Sequence, residues 1–151
     1  MGVLVGTAKP FFIGRRDGRE TRVRQPTTQY KAVSADTGGV YTFAEHRLAI
    51  DFPLHVHHRE DEGIYVLDGS MTAAVGDEVY TLGPGDFAFL PKGVPHSLTN
   101  NSEPAAQFVF VSTPGGFEHV MDDFVEAATN GHGPGSPEWR VVEERNELHF
   151  L

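Results

Sequence analysis

Apolar positions along this chain follow two different periods. Between Val40 and Val111 they come in short runs, Val40 to Ala44, Met71 to Val75, Val79 to Leu82, Phe87 to Leu90 and Gln107 to Val111, with glycine and proline between them. Many short β-prone runs separated by turn residues predict a sandwich or barrel. After residue 113 the period lengthens: Phe117, Val120, Met121, Phe124, Val125 and Ala128 recur at helical spacing, one face of an amphipathic helix over about 116–129. Thr113-Pro114-Gly115-Gly116 stops the last strand before it. The helix is expected over a barrel opening or the outer sheet, either as plain packing or as the wall or lid of a cavity. Asn130 to Gly135 reads as a mobile linker. Ser136-Pro137 opens a second short helix, because serine caps a helix start and proline suits its first turn.

At 151 residues the chain is expected to be one domain with a sizeable core. Its barrel would occupy about 30–113, followed by the helix and a short segment over 136–151. It has no cysteine, which removes disulfides, thiolate ligands and cysteine nucleophiles from consideration. The net charge of −9 argues against general nucleic-acid binding. The charge is uneven: Arg15, Arg16, Arg19, Arg22 and Arg24 form a basic stretch, while the chain after Thr113 carries eight acidic residues against two arginines. A solvated arm lying on an acidic surface, within the chain or across a dimer, is the expectation, ahead of a clamp for an anionic substrate. The start MGVLVGTAKPFF lacks the basic and apolar regions of a secretion signal, and Gly6 stands where a myristoylation motif has Ser or Thr. No run reaches membrane-spanning length, so a cytoplasmic protein is expected.

The candidate chemistry lies in two segments. In PLHVHHREDEGIYVLDG, strand parity sends His55 and His57 to one face and Val56 and His58 to the other. The polar run His58, Arg59, Glu60, Asp61 turns the chain, and Glu62 then heads a strand whose inward face continues with Ile64 and Val66. A carboxylate at the head of an apolar face needs a partner, and a cation is one. In GDFAFLPKGVPHSLTN, a turn restricted by Pro91, Gly93 and Pro95 can return His96 to the same cavity. His58 has the wrong parity. His46, His119, His132 and His149 lie in no ligand pattern, and ordinary hydrogen-bonding or surface roles are expected for them.

These residues resemble the cupin superfamily, whose first motif is G-x5-H-x-H-x3 or 4-E-x6-G and whose second is G-x5-P-x-G-x2-H-x3-N. The first is met by His55, His57, Glu62 and Gly69; the second by Gly85, Pro91, Gly93, His96 and Asn100. One departure is Ala49, which replaces the leading glycine and bears on the bend into the His55 strand. The resemblance implies an all-β cupin barrel, a double-stranded β-helix or jelly roll, with short C-terminal helices and pairing into a homodimer. It also implies one divalent transition metal ion per chain on His55, His57, Glu62 and His96.

Three imidazoles and a carboxylate suit Fe, Ni, Mn, Co, Cu or Zn, and ligand type alone does not choose among them. Eleven phenylalanines supply an apolar lining, with Phe87, Phe89, Phe108, Phe110 and Tyr65 as candidates where their parity is inward. A small flat, oxygenated, aromatic or polyketide-like molecule is the expected substrate. The leading reading is a dioxygenase similar to quercetin dioxygenase-like cupins, with enol or phenol binding at the metal and Glu62 as general base. A non-redox cyclase or isomerase of polyketide-type substrates, like small cupin cyclases, is the second. A binding module without turnover is the third.

Overall fold

The computed structural model describes residues 8–151. The reading of the extreme amino terminus, including Gly6, therefore lies outside the described residues. Among those residues no helix is long and apolar enough to cross a membrane.

Ten strands and three helices follow in chain order: β1 (Thr28–Ala32), α1 (Ser34–Thr37), β2 (Thr42–Arg47), β3 (Phe52–His57), β4 (Asp61–Asp68), β5 (Met71–Val75), β6 (Glu78–Leu82), β7 (Phe87–Leu90), β8 (His96–Asn100), β9 (Gln107–Thr113), α2 (Phe117–Thr129), α3 (Pro137–Asn146) and β10 (Leu148–Phe150). They form two five-stranded antiparallel sheets, one ordered β1-β2-β9-β4-β7 and the other β10-β3-β8-β5-β6. This is the jelly roll expected from the sequence.

Alternation builds the core between the sheets. In β4, Ile64 and Val66 point inward and Tyr65 outward; in β9, Phe108 and Phe110 are buried. Leu90, Met71, Ala73 and Leu98 complete the interior from the remaining strands. Phe87, Phe89 and Tyr65 face out and are 61%, 55% and 45% exposed, so of the five candidate lining aromatics only Phe108 and Phe110 are inside.

The glycine positions of the motifs have local causes. Gly93 has φ 79° and is the third residue of a turn closed by Val94 N–H donating to the Pro91 carbonyl, a geometry that requires positive φ. Its own N–H donates to the carbonyl of His57 at 2.6 Å, pinning the loop before β8 to the end of β3. Gly69 has φ 77°, and a Cβ there would meet Ser102 Oγ at 2.5 Å and Ala106 Cα at 2.9 Å. Asn100 closes the loop before β9, accepting from Ala106 N–H and donating to the Ser102 carbonyl. Ala49, the departure from the motif, bends the chain without positive φ, its N–H donating to the Arg47 carbonyl at 2.8 Å.

Helix α2 stands where the hydrophobic pattern places it, and α3 begins at Ser136-Pro137. Ser136 Oγ accepts from Trp139 N–H and caps α3. Along α2, Val120 and Ala127 are core, while Phe117, Met121, Phe124 and Val125 border a cavity. The same helix buries two carboxylates. Glu118 accepts from Ser34 and Thr42, and although burial opposes ionisation, these donors hold its carboxyl below the usual range. Asp122 accepts from Arg22 N–H, Val23 N–H and Gln25 Nε2. Arg22 adds ion pairs to Asp123 and Glu126. The basic arm thus lies on the acidic helix of its own chain.

Candidate metal centre

Pairing across the second sheet brings the histidines together. In β3, His55 lies directly opposite His96 of β8, and His57 follows two residues later on the same face. On its other edge β3 pairs with β10, so that Phe150 faces His55 and Leu148 faces His57. Glu62 arrives from the opposite sheet, on β4. All four side chains are buried.

The ligand-type atoms of His55, His57 and His96 lie within 4.8 Å of one another. Nε2 of His55 is 3.1 Å from Nε2 of His57. One Glu62 oxygen, Oε2, lies 3.4 Å from His96 Nε2 and 3.6 Å from His57 Nε2. His58, as its parity predicts, is exposed; its ring lies 5.7 Å from that of His149.

The outer nitrogens fix what the inner ones present. Nδ1 of His55 is 2.7 Å from the Pro53 carbonyl, and Nδ1 of His96 is 3.2 Å from the Val94 carbonyl. A carbonyl only accepts, so both rings carry hydrogen on Nδ1 and a lone pair on Nε2. Nδ1 of His57 faces Oε2 of Glu60 at 3.5 Å, a carboxylate with the same requirement. Three imidazole lone pairs therefore converge on one point, and His96 Nε2 has no hydrogen-bond partner. Convergent lone pairs beside a carboxylate repel one another unless a cation lies among them. The donor set fits a divalent metal held by His55, His57 and His96, with Glu62 alongside.

Burial pushes His55 down to about 4, helped by neighbouring His96. Burial also works against ionised Glu62, but His57, His96 and His55 outweigh it and bring its carboxyl down to about 2. His57 is raised: the desolvation that lowers it is overcome by Glu62 and Glu60. A cation among the ligand atoms would take the place of the proton that Glu62 and Glu60 favour on His57.

Two adjacent cavities border the cluster. The inner one, about 40 Å³, is bordered by His55, His96 and Glu62 and walled by Ile64, Leu98, Phe108 and Phe110. The outer one, about 320 Å³, is bordered by α2, by Trp139 of α3 and by Leu148 and Phe150 of β10. His46, Phe52, His55, Phe117 and Met121 border both. Helix α2 is thus a wall of the cavity as well as a packing element.

Two further residues belong to the site. Glu60, within the polar run that turns the chain, is 1% exposed and held by Arg59 Nε at 2.7 Å. His46, in no ligand pattern, is 6% exposed on the cavity wall; its inward parity on β2, shared with Ala44, is the sequence signal for it.

The cupin domain family matches residues 46–112, which include all four convergent side chains. Quercetin 2,3-dioxygenase of Bacillus subtilis (strain 168) is 41% identical over 94 residues, 62% of this chain and 28% of that protein. The chain thus corresponds to well under half of that relative. Among solved structures, the polyketide cyclase RemF from Streptomyces resistomycificus superposes with a TM-score of 0.57 at 24% identity, over 70% of this chain and 80% of that one. KdgF from Halomonas sp. gives 0.53 at 20% identity, over 67% and 93%. Both likenesses are of fold. Residues 46–112 thus match the cupin domain family, and the two antiparallel sheets around them form a jelly roll.

Proposed function

We propose that this protein is a metal-dependent cupin enzyme acting on a small, flat, oxygenated molecule, with dioxygenation of an enol or phenol as the leading activity. The observation that carries this reading is the convergence of three imidazoles and the Glu62 carboxylate beside an apolar cavity. Identity of 41% to a quercetin 2,3-dioxygenase over 94 residues supports it.

A divalent metal held by His55, His57 and His96 would supply Lewis acidity toward a substrate oxygen and, if redox-active, a route to dioxygen. The protein's own residues do the rest. Phe108, Phe110 and Ile64 exclude bulk water from the inner cavity, which strengthens every charge interaction there. The backbone carbonyls of Pro53 and Val94 hold the His55 and His96 rings in the tautomer that faces inward. Glu62, beside His57 and His96, is placed to take the proton of a hydroxyl that the site has acidified. The 320 Å³ outer cavity accommodates the body of the molecule against Phe124, Trp139 and Phe150.

The test is oxygen uptake by protein loaded separately with Fe, Ni, Mn, Co, Cu and Zn, on a panel of flavonols and catechols. Uptake restricted to redox-capable metals is the expected result. Turnover with zinc under argon would replace this reading with non-redox cyclisation. Failure to retain metal after purification without chelators would remove both.

A further inference from the structure

His46 is a buried histidine that the proposed chemistry leaves unused. It sits on β2 with its ring 5.3 Å from the rings of both Phe52 and Phe108. Nδ1 is 2.8 Å from Thr28 Oγ1, and among the described residues Nε2 has no hydrogen-bond partner. The ring borders both the inner and the outer cavity. Burial keeps it neutral, pushing it down to about 4. Nε2 is unpaired but not sealed, so it stays reachable from the cavity. Phe117, Met121 and Leu98, which border the inner cavity with it, offer no hydrogen-bond partner.

We propose that His46 is the second polar anchor of the substrate site: its Nε2 hydrogen-bonds an oxygen of the substrate while another oxygen lies at the His55, His57 and His96 end. This rests on the reading of the cluster as a metal-dependent site and narrows its substrate class. The molecule is planar and largely apolar, and it carries oxygen functions at two separated positions rather than one. Thr28 sets the ring's orientation without fixing its tautomer, since a hydroxyl both donates and accepts. Nε2 can accordingly receive a hydroxyl or donate to a carbonyl. Phe52 and Phe108 hold the imidazole from either side, so the anchor is in place before the substrate arrives.

The experiment is anaerobic titration of the full-length, metal-loaded protein with two flavonols. Quercetin has ring hydroxyls remote from its 3-hydroxy-4-keto unit; 3-hydroxyflavone has that unit alone. The wild type should bind quercetin more tightly. His46→Phe, which keeps an aromatic ring between Phe52 and Phe108, should weaken quercetin about tenfold and leave 3-hydroxyflavone within about twofold, with metal content unchanged. His46→Gln, which retains a polar group at similar reach, should recover part of the loss and guards against a folding defect in the first variant. Equal losses for both flavonols, no loss for quercetin, or a wild type that does not distinguish them would overturn the role of His46. Binding of neither flavonol to the metal-loaded wild type would instead overturn the underlying functional reading, and this one with it.

Discussion

Nδ1 of His57 and Oε2 of Glu60 lie 3.5 Å apart, both sealed from solvent. Neither atom has another hydrogen-bond partner. His55 and His96 turn Nδ1 to a backbone carbonyl two residues earlier, whereas His57 relies on this side chain. A carboxylate behind a ligand-type imidazole fixes its tautomer and raises its basicity. Glu60→Ala should therefore weaken metal affinity about 10- to 100-fold, measured by competition with a chromogenic chelator. Glu60→Gln, which keeps an acceptor but not the charge, should lose less.

Single-ligand replacements separate the cluster from its neighbours. His96→Ala and His57→Ala should reduce metal content well below one ion per chain by elemental analysis, and activity with it. His58→Ala should change neither, because His58 is exposed on the opposite face of the strand end. Metal loss in that variant would contradict the strand parity described above.

Metal should also stabilise the fold, because the three Nε2 lone pairs are assembled only in the native state. A free metal concentration about a hundredfold above Kd adds about 2.7 kcal/mol, read as a rise in the thermal midpoint that a chelator reverses. The rise should vanish in His96→Ala.

Acid should destabilise the protein in a defined window. The folded-state value of His46, about 4, is below that of a free imidazole, about 6.5. The unfolded chain therefore takes up the proton first, and stability falls as pH drops from about 6.5 toward 4. His46→Phe should flatten this slope by up to about 1.4 kcal/mol per pH unit, measured by denaturant unfolding at several pH values. His55 contributes in the same window in metal-free protein; the difference in slope between wild type and His46→Phe isolates the His46 effect.

Asp122 joins the amino-terminal arm to α2 through three hydrogen bonds, two of them from backbone N–H groups. Asp122→Ala strands those donors and should cost about 2–4 kcal/mol. Limited trypsin digestion should then cut sooner after Arg22 and Arg24.

The central strands and helices α2 and α3 are legible because their signals are local, whereas α1 and the β10 strand that joins the second sheet are not. Period-two runs ended by Gly69, Gly85 and Pro91 define β4 to β7, and the helical stripe from Phe117 defines α2. The histidine cluster was legible because each member follows from parity within a short segment. Other features depend on partners distant in sequence. Phe87-Ala88-Phe89-Leu90 is apolar on both faces, so its own pattern does not say which face is inward. Pairing with β4 settles it, placing Ala88 opposite Ile64 and leaving both phenylalanines outside. Glu60 reads as part of a polar turn until the fold brings its carboxyl beneath His57. His46 gains meaning only from Thr28 on β1, Phe52 on β3 and Phe108 on β9.

The edge pairing of β10 with β3 sets an order of events in biogenesis. Leu148, His149 and Phe150 hydrogen-bond along His57, Val56 and His55, and His58 N–H donates to the Glu147 carbonyl. A nascent chain halted at residue 112 already contains every motif residue and all four convergent side chains. It still lacks the neighbouring strand that braces two of them and the wall that borders the outer cavity. Bracing of the His55 and His57 strand is thus a late step, completed after residue 150 is available to pair.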